Sequence, residues 1–173
     1  KISSTLSNDN YEINFIDANL EITKATLTAT ADDKTRNYGD ANPAFTVTYD
    51  GFKNGDNVSN LGDGQAFASV TARETSNVGE YVINLDFFDT DNYTAIANNG
   101  TLTVNKKEIT ITADAKSKVY GDADPELTYQ TTGLNSDVLS GGLSREPGEN
   151  VGTYKISSTL SNDNYEITFI DAN

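Results

Sequence analysis

The chain has 173 residues, with 26 acidic against 12 basic side chains, a formal net charge of −14, and no histidine, cysteine, methionine or tryptophan. This balance repels phosphate backbones and anionic headgroups, so nucleic-acid binding and membrane adsorption are disfavoured, and disulfides and Cys/His zinc sites are excluded. Apolar residues make up 36 % and fall in short alternating runs, and no stretch has the length of a membrane-spanning helix or the form of a signal peptide.

Residues 1–19 read KISSTLSNDNYEINFIDAN and return at 155–173 with one change, Asn14 to Thr168. Repetition on that scale precedes any other reading of a chain. The next stretch, Leu20-Glu21-Ile22-Thr23-Lys24, aligns with Leu102-Thr103-Val104-Asn105-Lys106, 82 positions on. Residues 1–24 therefore read as the closing strands of a preceding repeat, and Lys1 as a boundary of convenience rather than a natural amino terminus. Residues 25–105 form one complete repeat, and residues 106–173 a second that lacks its final strand.

Within the complete repeat, Leu27, Ala29 and Ala31 alternate with threonines, as Ile109, Ile111 and Ala113 do in the second. Each predicts a half-buried strand. A polar link leads to Tyr38-Gly39-Asp40-Ala41-Asn42-Pro43, repeated as Tyr120-Gly121-Asp122-Ala123-Asp124-Pro125, which carries the residues of a tight turn. A strand through Phe45, Val47 and Tyr49 (Leu127 and Tyr129 in the second repeat) ends at Gly51 and Gly133. Asn57–Ser76 is longer than its counterpart Val138–Glu149, as surface loops between repeats often are; Asp137–Leu139 is predicted as a single helical turn. Asn77-Val78-Gly79 and Asn150-Val151-Gly152 open the next strand, with Tyr81, Ile83 and Leu85, or Tyr154 and Ile156, facing inward. The last two strands of the unit run through Tyr165, Ile167 and Phe169 and through Leu102 and Val104.

The fold class is all-β: tandem small β-sandwich (immunoglobulin-like) or β-grasp-like modules. They are joined without flexible linkers, since Asn105-Lys106-Lys107 is too short a tether to be one. The expected core is Leu27, Ala29, Phe45, Val47, Tyr81, Ile83, Leu102 and Val104 in the first unit. In the second it is Ile109, Ile111, Leu127, Tyr129, Tyr154, Ile156, Ile167 and Phe169.

The YGD-x-[DN]-P turn, the Gly133–Tyr154 middle, the DNYEI strand and the closing L-x-[IV] strand together resemble the MBG domain, YGX type. The first repeat departs from the pattern in its expanded Asn57–Ser76 loop. The resemblance implies tandem repeats of large bacterial surface or secreted proteins, often filamentous-haemagglutinin-like adhesins. It implies an extracellular or cell-surface location and brings no catalytic residues with it.

No enzymatic role is expected. Among 26 acids some carboxylate pairs are inevitable, and a shaped cleft is what acid/base chemistry needs. No cofactor is expected except calcium, which takes six to eight oxygen ligands. Its candidates are Asp9, Asp89, Asp91 and Asp163, in equivalent Asx-rich loops, and Asx turns account for the same residues without a metal. Three N-x-[ST] triplets, at Asn57, Asn92 and Asn99, are expected by chance in so Asn/Thr-rich a chain. The nine tyrosines are mostly expected in the core or beside turns.

The expected partners are neighbouring repeats. A unit lacking its last strand leaves an open edge after Phe169, and an unpaired edge recruits strands. Leu20, Glu21, Ile22, Thr23 and Lys24 are the strand-complementation candidates, giving head-to-tail self-association. The functional expectation is a structural stalk, spacer or fibre-forming segment. The alternative is a glycan- or protein-binding module, for which Asn57–Ser76 is the candidate.

Overall fold

A computed structural model describes residues 3–172. Lys1, Ile2 and Asn173, which belong to the two near-identical end copies, lie outside the described residues. The first module comprises β1 (Ala25–Ala31), β2 (Lys34–Asn37), β3 (Val47–Asp50), a 3-10 helix (Val58–Gly64), β4 (Phe67–Ser69), β5 (Gly79–Asp86), β6 (Tyr93–Asn98) and β7 (Gly100–Asn105). The second comprises β8 (Lys107–Ala113), β9 (Tyr129–Thr132), β10 (Leu143–Arg145), β11 (Ile156–Ser158) and β12 (Tyr165–Ile170). Only Lys106 separates β7 from β8.

In the first module one sheet has the order β3-β1-β6 and the other β2-β7-β5-β4. Leu27 and Ala29 of β1 and Ile83, Leu102 and Val104 of β5 and β7 are almost wholly buried in one core, so the two sheets face each other as a sandwich. Alternation does the work expected of it: along β7 Leu102 and Val104 are buried and Thr101 and Thr103 are not. Two pairings, β1 with β6 and β2 with β7, are parallel, unlike the all-antiparallel sheets of an immunoglobulin domain. Among the described residues there is also no α-helix of the kind a β-grasp module packs on its sheet.

Recurrent polar residues have local structural causes. The Thr46 and Thr48 hydroxyls donate to the Asp32 carboxylate, and Thr128 donates to Asp114 in the second module (2.6 Å), tying the first strand of each unit to its antiparallel neighbour. These bonds hold both carboxyls below the usual range. The Tyr81 hydroxyl donates to the Asn77 carbonyl (2.7 Å) and Tyr154 to that of Asn150 (2.8 Å), which closes the N-V-G-x-Y loop and explains its spacing. Gly51 has φ +111, and a Cβ there would sit 2.6 Å from the Thr26 carbonyl oxygen, so only glycine passes.

Three expectations need correction. The polar link contains β2, in which Arg36 is buried and anchored by the Asn42 side chain and the carbonyls of Asn37, Arg73 and Glu74. Asp137–Leu139 is not helical. The helical turns lie instead at Val58–Gly64, capped by Asn57, with Leu61 buried beneath. Of the expected core, Phe45, Val47, Tyr81, Ile167 and Phe169 pack half-buried against it, Leu127 and Tyr154 are half-buried, and Tyr129 is exposed.

Residues 3–24 contain no strand, and Leu20 and Ile22 are 70 % and 88 % exposed. Their pattern is that of β7, but a strand exists only in a ladder, and among the described residues 20–24 take part in none.

Candidate interaction surfaces at the module junction and an open groove

The loops that repeat most faithfully meet where the two modules join. From the first module come Tyr38 and Gly39 of the YGD turn and Asn77 and Val78 of the N-V-G loop. From the second come Asn164 and Tyr165 of the DNY segment, with Asn135 and Asp137. Asn164 is the hub: its Oδ1 accepts the Val78 N–H (3.0 Å), its Nδ2 donates to Asn77 Oδ1 (3.0 Å), and its carbonyl accepts the Lys107 N–H at the start of β8 (3.0 Å). The Tyr38 and Tyr165 rings meet edge to face at 5.4 Å. Both hydroxyls donate to Asp137. A Cβ at Gly39, which has φ +82, would lie 2.3 Å from the Asn135 side-chain nitrogen, so the modules approach closely there.

Burial, then the bond to Asp137, pushes the Tyr165 phenol up to about 12, and the same causes raise Tyr38. The junction thus combines an aromatic pair, the Asp137 carboxylate that accepts both hydroxyls, and amide hydrogen bonds through Asn164.

The second surface is a groove of about 650 Å³ in the second module. In the first module β7 lies between β2, parallel, and β5, antiparallel. The counterparts in the second module are Lys116–Val119, which form no strand, and Gly152–Ile156, of which only Ile156 is in one. The groove runs between those two segments, with Tyr120, Leu127, Tyr154 and Ile156 on its walls. The Ile156 N–H donates to the Ala172 carbonyl (2.9 Å), as Ile83 is paired with Gly100 at the start of β7. The open place is therefore in the β10–β11 sheet, not beside β12 after Phe169 as the sequence predicts, because the closing strand belongs to the other layer of the sandwich.

One end of the groove is held by an ion network. Arg145 and Lys118 both bind Asp124 (2.8 and 2.7 Å) and Glu149 (2.6 and 2.7 Å). Hydrogen bonds from Arg145 and then Lys118 bring Asp124 down to about 2. The Arg145 guanidinium also lies over the Tyr154 ring at 5.4 Å.

The calcium candidates are not brought together. Asp9, the Asp89/Asp91 pair and Asp163 sit in three separate loops, and among the described residues no group of three acidic side chains is placed to hold a metal ion. Asp89 accepts the Ala95 N–H (2.8 Å) and faces Lys24 at 3.5 Å, which are the contacts of a turn carboxylate. Of the N-x-[ST] asparagines, Asn57 caps the 3-10 helix and Asn99 accepts the Leu85 N–H. Of the tyrosines, Tyr38, Tyr93 and Tyr165 are buried, whereas Tyr11 and Tyr120 are exposed.

Sequence reasoning treats YGD, N-V-G and DNY as turn chemistry and misses that they form the junction. The available signal was fidelity of repetition in loops, where an isolated domain tolerates change.

A sequence model of the MBG domain (YGX type) family matches residues 27–103 and again residues 109–173. No curated protein and no solved structure matches the chain.

Proposed function

The chain belongs to the MBG domain (YGX type) family, with two copies in tandem, and on that premise we propose that it is a structural spacer or fibre-forming segment of an extracellular bacterial adhesin or matrix filament. The observation that carries the reading is the junction. The best-repeated motifs are used to fix one module on the next through Asn164, Tyr38 and Tyr165, with Lys106 alone between their strands. A segment built to set distance needs this; a string of independent binding domains does not. The reading assigns no catalytic residue, and the acidic surface keeps a crowded array soluble.

The test is length. In arrays of increasing copy number, the maximum dimension from small-angle scattering rises in proportion to the number of modules. Growth as the square root of that number, the law of a flexible chain, would contradict the proposal. Surface display is checked by labelling intact cells with an antibody to the chain, which a cytoplasmic repeat would not bind.

A glycan- or protein-binding module is the second reading. It is favoured by Phe67 and Phe88, two aromatic rings exposed on the first module, whereas the stretch Ser140–Gly142 of the second carries none. Binding to a glycan array that is lost in Phe67→Ala/Phe88→Ala would establish it.

A further inference from the structure

We infer that the outer face of the β2-β7-β5-β4 sheet, at Phe67, Asp86 and Phe88, is a docking surface for an arginine-bearing basic segment of another protein. The inference rests on the protein-binding form of the second reading above and names the chemistry of the partner.

Along β5, Ile83 and Leu85 are buried while Val82, Asn84 and Asp86 are exposed, and the alternation runs on through buried Phe87 to Phe88. Phe67 pairs with Asp86 across the antiparallel β4–β5 ladder. Ring and carboxylate therefore stand side by side on one face, their Cβ atoms about 5 Å apart. Phe67, Val82 and Phe88 are 67 %, 56 % and 72 % exposed. Large apolar side chains left in water among polar ones mark an interaction surface rather than a core.

The fold does not require them. In the second module β10 and β11 repeat the β4–β5 pairing, with Ser144 opposite Ser157 as Ser69 is opposite Asn84. There the counterparts of Phe67, Val82, Asp86 and Phe88 are Gly142, Lys155, Thr159 and Ser161. The Thr159 N–H donates to the Gly142 carbonyl (2.9 Å) at the place where Asp86 pairs with Phe67. All four counterparts are exposed although the first module is packed against the second. A module seated in that way leaves this face open, so the exposure of Phe67 and Phe88 belongs to the face itself. Only the first module arms it with rings and an acid.

Charge identifies the occupant. The outward residues of β5 include two acids, Glu80 and Asp86, and among the described residues neither takes part in an ion pair. The cations of β2, Lys34 and Arg36, are in register with Leu102 and Val104 and so belong to the inner face. The outer face thus offers two phenyl rings and uncompensated carboxylates. A guanidinium satisfies both, because its plane stacks on an aromatic ring while its N–H groups take a carboxylate in pairs. The chain uses this chemistry within itself: Arg145 lies over the Tyr154 ring at 5.4 Å and binds Asp124 and Glu149. A second copy of this chain, with a net charge of −14, is repelled by such a face.

The experiment titrates the whole chain with a nine-residue peptide alternating arginine and leucine, followed by backbone amide spectra and calorimetry. Shifts are expected at residues 66–69 and 82–88, and none at 142–145 or 155–161. Affinity should fall several-fold between about 0.05 and 0.5 M NaCl. Phe67→Ala/Phe88→Ala alters exposed side chains, so the module stays folded, and should weaken binding at least about 10-fold. Val82→Lys copies Lys155 of the second module and should weaken it as much, by setting a cation beside the bound arginine. A peptide with glutamate in place of arginine should not bind. Absence of shifts at the named residues with the arginine peptide would overturn the inference, as would equal binding of the glutamate peptide or variants that bind like the parent. Cellohexaose moving the same residues when the arginine peptide does not would also overturn it, while keeping a binding role for the face. Failure of both probes would overturn it and leave the spacer reading standing.

Discussion

Leu102 and Leu20 are the same residue at the same position of the repeat, in opposite environments, and replacing each by alanine separates repeat pattern from packing. Leu102 has no exposed surface and sits in the middle of β7, between β2 and β5 and against the facing sheet. Truncating such a leucine costs about 2–5 kcal/mol, more where the surroundings cannot collapse. With strands on both sides and a sheet in front, about 3–4 kcal/mol is expected here. A module of about 80 residues holds roughly 4–12 kcal/mol in total, so Leu102→Ala should remove between about a quarter and nearly all of the first module's stability. The equivalent Leu20→Ala, at 70 % exposure, should change stability by less than about 0.5 kcal/mol in dilute solution. Urea unfolding followed by circular dichroism and tyrosine fluorescence reads both, and Thr103→Ala, on the other face of β7, should cost less than about 1 kcal/mol. The reasoning is refuted if Leu102→Ala stays within about 1 kcal/mol of the parent, or if Leu20→Ala is as damaging.

Three further outcomes are expected. Asn164→Ala removes two bonds across the junction and should weaken it by about 1–3 kcal/mol; each module keeps its circular dichroism while scattering reports a wider range of shapes. At alkaline pH, Tyr165 ionises near 12 in the folded chain rather than at 10.0. The stability it contributes is complete below pH 10 and disappears as pH rises through about 12, so tyrosinate absorbance and loosening of the junction should appear together in that window. At acid pH, Asp124 titrates near 2 against an ordinary 3.8. Its contribution is complete above 3.8 and lost as pH falls toward 2. The second module should therefore lose thermal stability across that interval, and Asp124→Asn should reduce the dependence, the remainder coming from Asp114, Glu149 and Asp171 of the same module, whose carboxyls are also held below the usual range.

The strands with alternating apolar residues were legible in the sequence: β1, β5, β7, β8 and β12 each carry their core on every second residue, and burial selects that pattern. What alternation does not encode was not. β2, Lys34-Thr35-Arg36-Asn37, has no apolar residue and is a strand only because β7 lies beside it and because carbonyls and Asn42 receive the buried Arg36. Its counterpart Lys116–Val119, without such a neighbour, is not a strand. The location of the groove escaped for a related reason. Chain order puts the closing strand after Phe169, while pairing puts β7 in the opposite sheet, and a linear sequence does not say which layer a strand enters. The junction was written in Asn77, Asn164, Tyr38 and Tyr165, and each also suits a turn; only their placement in space shows that they meet.

The central claim is that the repeated loops lock one module onto the next. Residual dipolar couplings of backbone amides, measured for both modules of the whole chain in one aligned sample, test it most directly. The account predicts that a single alignment tensor fits residues 25–105 and 107–172 in the orientation fixed by Asn164 and the Tyr38–Tyr165 pair. Two tensors of different magnitude would mean that the modules move independently, and the spacer reading built on the junction would then fail.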